Sequence, residues 1–170
     1  YGDEIGIRYQ ADLISKEGGY NRTGSRTPMQ WKKGKNLGFS EGRGEELYLP
    51  VDRSENAPTV EEQLADENSL LHVVRKLVTL RTTSDALGSD GAVEFLNREN
   101  HGYPLVYTRT DGVETYLICM NPGAQSQTVD LEKVGGKDKQ YQVMLQNKEI
   151  VIDQGVLTLP GVSFWIGKEA

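Results

Sequence analysis

Arg26 and Trp31 carry the side chains best suited to holding a ligand, and both lie in Ser25-Arg26-Thr27-Pro28-Met29-Gln30-Trp31. A guanidinium presents a rigid fork of donors that fits a carboxylate or a pair of vicinal hydroxyls. An indole offers a flat apolar face of the kind on which a sugar ring can stack. On residues alone, an arginine and a tryptophan that only pin a loop are the more ordinary reading. Both readings stay open at this point.

The carboxylates are less promising. Asp3 and Glu4 are adjacent in Tyr1-Gly2-Asp3-Glu4-Ile5-Gly6-Ile7, which reads as a short strand end. Neighbours on a strand point to opposite faces, so the two cannot flank one bond as a glycosidase pair does. One is expected in solvent and the other satisfied by backbone or an arginine. Glu45 with Glu46 reads as loop charge, and Glu61 with Glu62 as the acidic start of a helix. His72 and His101 have no Cys, His or Asp partner at metal-ligand spacing, so no metal is expected. The lone Cys119 sits in the apolar run Tyr116–Met120, where it reads as a small core residue. No Gly-x-Ser-x-Gly elbow, Walker loop or Gly-x-Gly-x-x-Gly turn is present. No catalytic residue and no cofactor is therefore assigned within the chain.

The elements that must position Arg26 fall into two patterns that change near Gly88. The 170 residues, 36% hydrophobic and 26% charged with 19 glycines, suit one domain or one domain plus part of another. Before Gly88, regular structure is sparse. A stretch from about Arg8 to Pro58, rich in Gly, Asn, Ser, Lys and Glu, shows no element, which in a compact domain points to a functional loop or to a wrong assignment. Thr59 and Glu62 then fit a capping box for a short helix. Asp66 or Asn68 is expected to cap a longer helix over Ser69–Arg81, with Leu70, Leu71, Val73, Val74, Leu77, Val78 and Leu80 on it. At ~100° per residue these cover about half its circumference, so the helix needs partners on two sides.

After Gly88, eight short β runs alternate with turns. They are Ala92–Leu96, Leu105–Arg109, Glu114–Met120, Gln127–Leu131, Tyr141–Leu145, Glu149–Ile152, Val156–Leu159 and Val162–Ile166. Turn signals such as Asn100-His101-Gly102, Asp111-Gly112 and Asn121-Pro122-Gly123 separate them. Strands this close, with no helices between them, predict an antiparallel β-sandwich.

The net charge of −6, with basic residues scattered, argues against nucleic acid and anionic membrane as partners. No apolar run reaches the ~18 residues of a membrane span. The chain begins at Tyr1 rather than Met, so its true N-terminus is expected upstream, where a leader could also lie. A cytoplasmic setting is the working expectation.

Three blocks together resemble glycoside hydrolase family 13, the α-amylase superfamily. They are Tyr1–Gly6, Gly24-Ser25-Arg26-Thr27-Pro28-Met29-Gln30-Trp31, and Asn36-Leu37-Gly38-Phe39-Ser40. The chain is most similar to the branch of α-glucosidases, oligo-1,6-glucosidases and trehalose synthases, of which the Arg26–Trp31 block is the most specific mark. Leu47–Pro50, Val60–Gln63 and Ser69–Leu71 fall in the order expected of that branch.

The resemblance implies an architecture and an activity. Residues 1–87 would be the end of a (β/α)8 barrel: strand eight to Ile7, the loop after it, and helix eight. Residues 88–170 would be the β-sandwich called domain C. The parent would be a retaining α-glucosidase-type hydrolase, or a transglycosylase such as trehalose synthase, acting on α-glucosides. Its aspartate nucleophile, glutamate acid/base and second aspartate belong to strands upstream of Tyr1, so the chain alone is expected to be inactive. Arg26 would help hold the non-reducing-end glucose beside the cleaved bond. The uncovered arc of the helix implies self-association or a loosely ordered first half. The competing class is a non-catalytic sandwich that binds sugar or a partner through a row of exposed aromatics. Tyr107, Tyr116, Tyr141, Phe164 and Trp165 all lie in strand runs where some must face a core.

Overall fold

The computed structural model describes residues 1–14, 22–97, 102–136 and 138–170. His101 and most of the Asn100–Gly102 turn lie outside the described residues, as does part of the long loop. The chain forms two compact units, Tyr1–Arg75 and Lys76–Ala170, which meet inside a helix.

The first unit is built from turns. Tyr1–Ile7 is not a strand, because Asp3–Ile5 forms one 3-10 turn bracketed by Gly2 and Gly6 in left-handed conformation. Two such glycines curl a run too short for a ladder. Asp3 is exposed and Glu4 half-buried on that turn, so the strand argument for their opposite facing does not apply. The long loop is not structureless either. It holds 3-10 turns at Thr23–Ser25, Lys35–Gly38 and Gly44–Glu46. Side chains bond across it: Arg8 donates to the Ser54 and Asn56 side chains and to the Asn56 carbonyl, and Lys33 to the Ala57 carbonyl. Asp52 Oδ1 accepts from both Ser54 N and Ser54 Oγ.

Helix α1 spans Val60–Ala65 and starts as expected, with Thr59 Oγ1 accepting from Glu62 N. The box is modified, since Glu62 Oε2 accepts the Thr59 hydroxyl at 2.7 Å. Helix α2 spans Leu70–Thr82. Neither Asp66 nor Asn68 caps it. Asp66 instead closes a turn onto Asn68 N, and Ser69 Oγ takes the capping position, accepting from His72 N at 3.4 Å. Gln63 joins the two helices and the first turn. Its Nε2 donates to Ile5 O at 2.7 Å and its Oε1 accepts from Leu71 N at 2.9 Å.

The second unit is the expected antiparallel sandwich. Its strands are β1 Ala92–Phe95, β2 Leu105–Thr110, β3 Thr115–Asn121, β4 Gln127–Asp130, β5 Tyr141–Gln146, β6 Val151–Asp153, β7 Val156–Leu159 and β8 Ser163–Glu169. A five-stranded sheet runs β1-β2-β3-β8-β5 and a three-stranded sheet β4-β7-β6, with every pairing antiparallel. Alternation on β3 explains the interior. Leu117 and Cys119 face a core with Val106, Trp165, Val129, Leu157 and Leu159. Tyr116 and Ile118 face a second cluster with Ile166, Ala86 and Leu87, against which Leu77 and Leu80 of α2 pack. A strand buried on both faces must read as a continuous apolar run, which is why Tyr116–Met120 shows no polar alternation. Burial pushes the Cys119 thiol up to about 12, as befits a core residue.

Trp165 fixes one strict glycine. A Cβ on Gly167 would sit 2.0 Å from the indole ring, so the ring occupies the space beside that backbone.

Candidate functional site

Arg26 stands at the end of the Thr23–Ser25 turn, its backbone N–H donating to Thr23 O. Gly24 sets the approach of that turn. Gln10 N donates to Gly24 O at 3.0 Å, and a Cβ on Gly24 would meet Gln10 O at 2.0 Å. Downstream, Thr27, Pro28, Met29 and Gln30 are all buried. Gln30 Nε2 donates to Pro58 O, Gln30 O accepts from Val60 N, and Trp31 O accepts from Glu61 N. The motif therefore divides by role. Thr27–Gln30 anchor the loop to the start of α1, and Arg26 and Trp31 emerge exposed at its two ends.

Arg26 lines a cleft of about 420 Å³ together with Tyr1, Thr27, Pro28, Phe39, Tyr48 and Leu49. Trp31 is not part of its lining. Phe39 and Tyr48, not Trp31, supply its aromatic surface together with Tyr1. Phe39 is placed by a left-handed run, with φ of 48° at Asn36, 52° at Leu37 and 72° at Gly38. Two consecutive non-glycine residues in that region are uncommon and need support. Leu37 O accepts from both Trp31 N and Lys32 N, and Asn36 Nδ2 donates to Ser40 O and Gly42 O. The buried Leu49 anchors the neighbouring Tyr48. The blocks Asn36–Ser40 and Leu47–Pro50 are legible in the sequence, but their spatial convergence on Arg26 is not.

Among the described residues, none that lines the cleft is a carboxylate. Glu45 and Glu46 sit in solvent beside Arg43, and Glu61 and Glu62 open α1. His72 Nδ1 lies 3.1 Å from Ser69 Oγ and from Gln63 O, a position that serves the helix start. Among the described residues no three His, Cys, Asp or Glu side chains gather as a metal set would.

The other charged cluster belongs to the sandwich. Glu114 pairs with Lys168 and also accepts from Ser84 Oγ and the Tyr116 hydroxyl. The Lys168 ammonium holds the Glu114 carboxyl below its usual range, and Glu114 in turn raises Lys168. In the sandwich Tyr116 and Trp165 are buried while Tyr107, Tyr141 and Phe164 are partly buried, so these five form no exposed aromatic row.

Residues 1–90 match the family model described as "Alpha amylase, catalytic domain". The chain belongs to the α-amylase family. Residues 93–166 match a second model, the C-terminal domain of maltogenic amylase. Among relatives of this α-amylase-family chain, a trehalose synthase of Pimelobacter sp. (strain R48) is 34% identical over 81% of this chain and 24% of its own length. A glucan 1,6-α-glucosidase of Streptococcus dysgalactiae subsp. equisimilis is 31% identical over 68% of this chain and 21% of its own. Among solved structures, trehalulose synthase from Pseudomonas mesoacidophila MX-45 superposes with a TM-score of 0.81 at 21% identity, covering 99% of this chain and 34% of that one. A likeness at that identity speaks to the fold. The chain thus spans about a fifth to a quarter of the length of these two curated relatives. Among the described residues no helix is long and apolar enough to cross a membrane.

Proposed function

We propose that this chain is part of a retaining α-glucosidase-type hydrolase acting on α-linked gluco-oligosaccharides, and that Arg26 binds the substrate. The observation that carries this reading is the position of Arg26. Among the described residues that line this aromatic cleft it is the one charged side chain, on a segment that falls within the catalytic-domain match. On this reading residues 1–87 are the end of the catalytic barrel and residues 88–170 are domain C. Arg26 donates from its fork to hydroxyls of the terminal glucose, while the acid/base and nucleophilic steps fall to carboxylates elsewhere in the full-length enzyme.

The isolated 170-residue chain is accordingly inactive. Its Arg26 cleft offers no carboxylate pair to flank a glycosidic bond. It also self-associates, a reading supported by α2, which has no buried side chain along its length and leaves Leu70 and Val78 exposed. A cytoplasmic location is supported by the single, buried cysteine, which leaves no disulfide framework within the chain. Trehalose synthases among the relatives support a second reading, in which the parent transfers glucose rather than releasing it.

The test is Arg26→Ala in the full-length enzyme. It should lower kcat/KM on short α-glucosides by ~10²-fold or more, the scale of a lost positioning contact, with Tm unchanged. Arg22, which flanks the same turn, is the control. If Arg22→Ala shows that loss and Arg26→Ala does not, the substrate role passes from Arg26 to Arg22.

A further inference from the structure

We propose that the sandwich carries a small-molecule site of its own, bounded by β1, β2 and β4, which takes an amphipathic anion: an apolar chain ending in a carboxylate. The site lies wholly within the second unit and is independent of the Arg26 cleft.

Its origin is the unequal size of the two sheets. Five strands, β1-β2-β3-β8-β5, face three, β4-β7-β6, and three strands cannot roof five. β1 is the outer strand of the larger sheet and β4 the outer strand of the smaller, so each keeps an unpaired edge among the described residues. A cleft of about 660 Å³ remains there, lined by Phe95 of β1, Val106 of β2 and Thr128–Asp130 of β4. That volume falls in the ~300–1,000 Å³ range of small-molecule sites.

The lining grades from apolar to charged. Val106 and Val129, 1% and 4% exposed, belong to the core cluster that holds Trp165, and the partly buried Leu96 and Val134 pack against it. Thr128 and Lys133 stand exposed at the rim. Lys133 Nζ lies 3.4 Å from Asp130 Oδ2, and Asp130 Oδ1 accepts from Glu132 N at 3.0 Å. Both carboxylate oxygens of Asp130 are thus engaged. An ammonium has three donors, of which Asp130 takes one. Asp130 opposes an anionic head, but it is answered at contact by Lys133, whose remaining donors face solvent on a side chain that is 81% exposed.

The two ends of the cleft select the two ends of the ligand. Each methylene taken from water against the valines gains roughly 4-fold in affinity. A fully polar ligand would lose water beside Val106 and Val129 without a partner. A purely apolar one would leave the Lys133 donors unused.

The experiment is an NMR titration of the 170-residue chain with decanoate and with decyltrimethylammonium, both below their micelle concentrations. Decanoate should shift the amides of Leu96, Val106 and Val129 and saturate as one site, with Kd on the order of 1 mM or tighter, the scale for a ligand of about a dozen heavy atoms. Val60 and Leu71 of the first unit should not move. Decyltrimethylammonium should bind roughly 5-fold more weakly, the scale of one exposed ion pair. Lys133→Glu should reverse that order. Thr128→Trp, at an exposed strand position, fills the cleft and should abolish binding of both ligands. No saturable shift at the three amides would overturn the site. So would equal shifts in both units, the mark of detergent-like binding. An unchanged preference in Lys133→Glu would overturn the carboxylate head, and wild-type binding by Thr128→Trp would mean that the chain lies elsewhere. Should the tryptophan lower Tm, the reversal in Lys133→Glu still decides.

Discussion

Residues 1–75 bury Ile5, Met29, Leu37, Leu49 and Ala57 under a lattice of side-chain-to-backbone hydrogen bonds, with turns and short helical pieces as the regular structure of the described residues. Residues 76–170 bury Val106, Leu117, Leu157 and Trp165 between sheets whose backbones bond strand by strand. The difference teaches where each unit keeps its specificity. In the sandwich, shape complementarity of apolar side chains dominates the core, with the buried Asn121 amide tying the end of β3 to the Leu159 and Pro160 carbonyls. In the turn-built unit, individual polar groups such as Gln30, Asn36 and Gln63 decide the structure. That arrangement leaves aromatic rings available in a cleft instead of consuming them in a core.

The largest expected effect is on the sandwich. Trp165→Ala removes the largest fully buried side chain and should cost ~3–5 kcal/mol, lowering the urea midpoint of the 170-residue chain. Amide exchange should show protection lost in β3 and β8 first. If amides of the first unit, such as Val60 and Leu71, lost protection to the same degree, the two regions would be one cooperative structure and the contrast would fail.

A smaller effect tests the first unit. Gln63→Ala orphans Ile5 O and Leu71 N and should cost roughly 1–3 kcal/mol, since buried polar partners are left unmade. The loss should appear as faster exchange at the Leu71 amide, with β2, β3 and β8 unchanged. A variant as protected as wild type would show that apolar contacts hold this unit after all.

The smallest effect is electrostatic. Glu114 is depressed chiefly by its hydrogen bond to Lys168, so its contribution is present above the unfolded carboxyl value of ~4.3 and is lost as pH falls below it. Lys168 is raised chiefly by its hydrogen bond to Glu114, so its contribution is present below ~10.4 and is lost as pH rises through its folded value. Glu114→Gln should therefore lower Tm slightly in the neutral region, where both contributions are present, and leave the acid and alkaline ends unchanged, flattening both limbs of the Tm–pH profile. A profile identical to wild type would mean that solvent screens the pair completely.

The sequence alone determined the sandwich almost strand by strand. Runs of alternating or continuous apolar residues between Gly, Asn and Pro turns admit few other outcomes, and all eight expected strands formed. It determined the Thr59 cap of α1 as well, because a capping box is a local bond between residues three apart. It did not determine Tyr1–Ile7, where Gly2 and Gly6 curl an apparent strand into a turn. Nor did it find the Ser69 cap, because Asp66 could satisfy a nearer amide. The convergence of Phe39 and Tyr48 on Arg26, and the exclusion of Trp31, were decided only in three dimensions. Periodicity reports on elements that repeat. A cleft drawn from four separate segments has no period, and its geometry depends on long-range bonds such as Gln30 to Pro58 that no local pattern encodes.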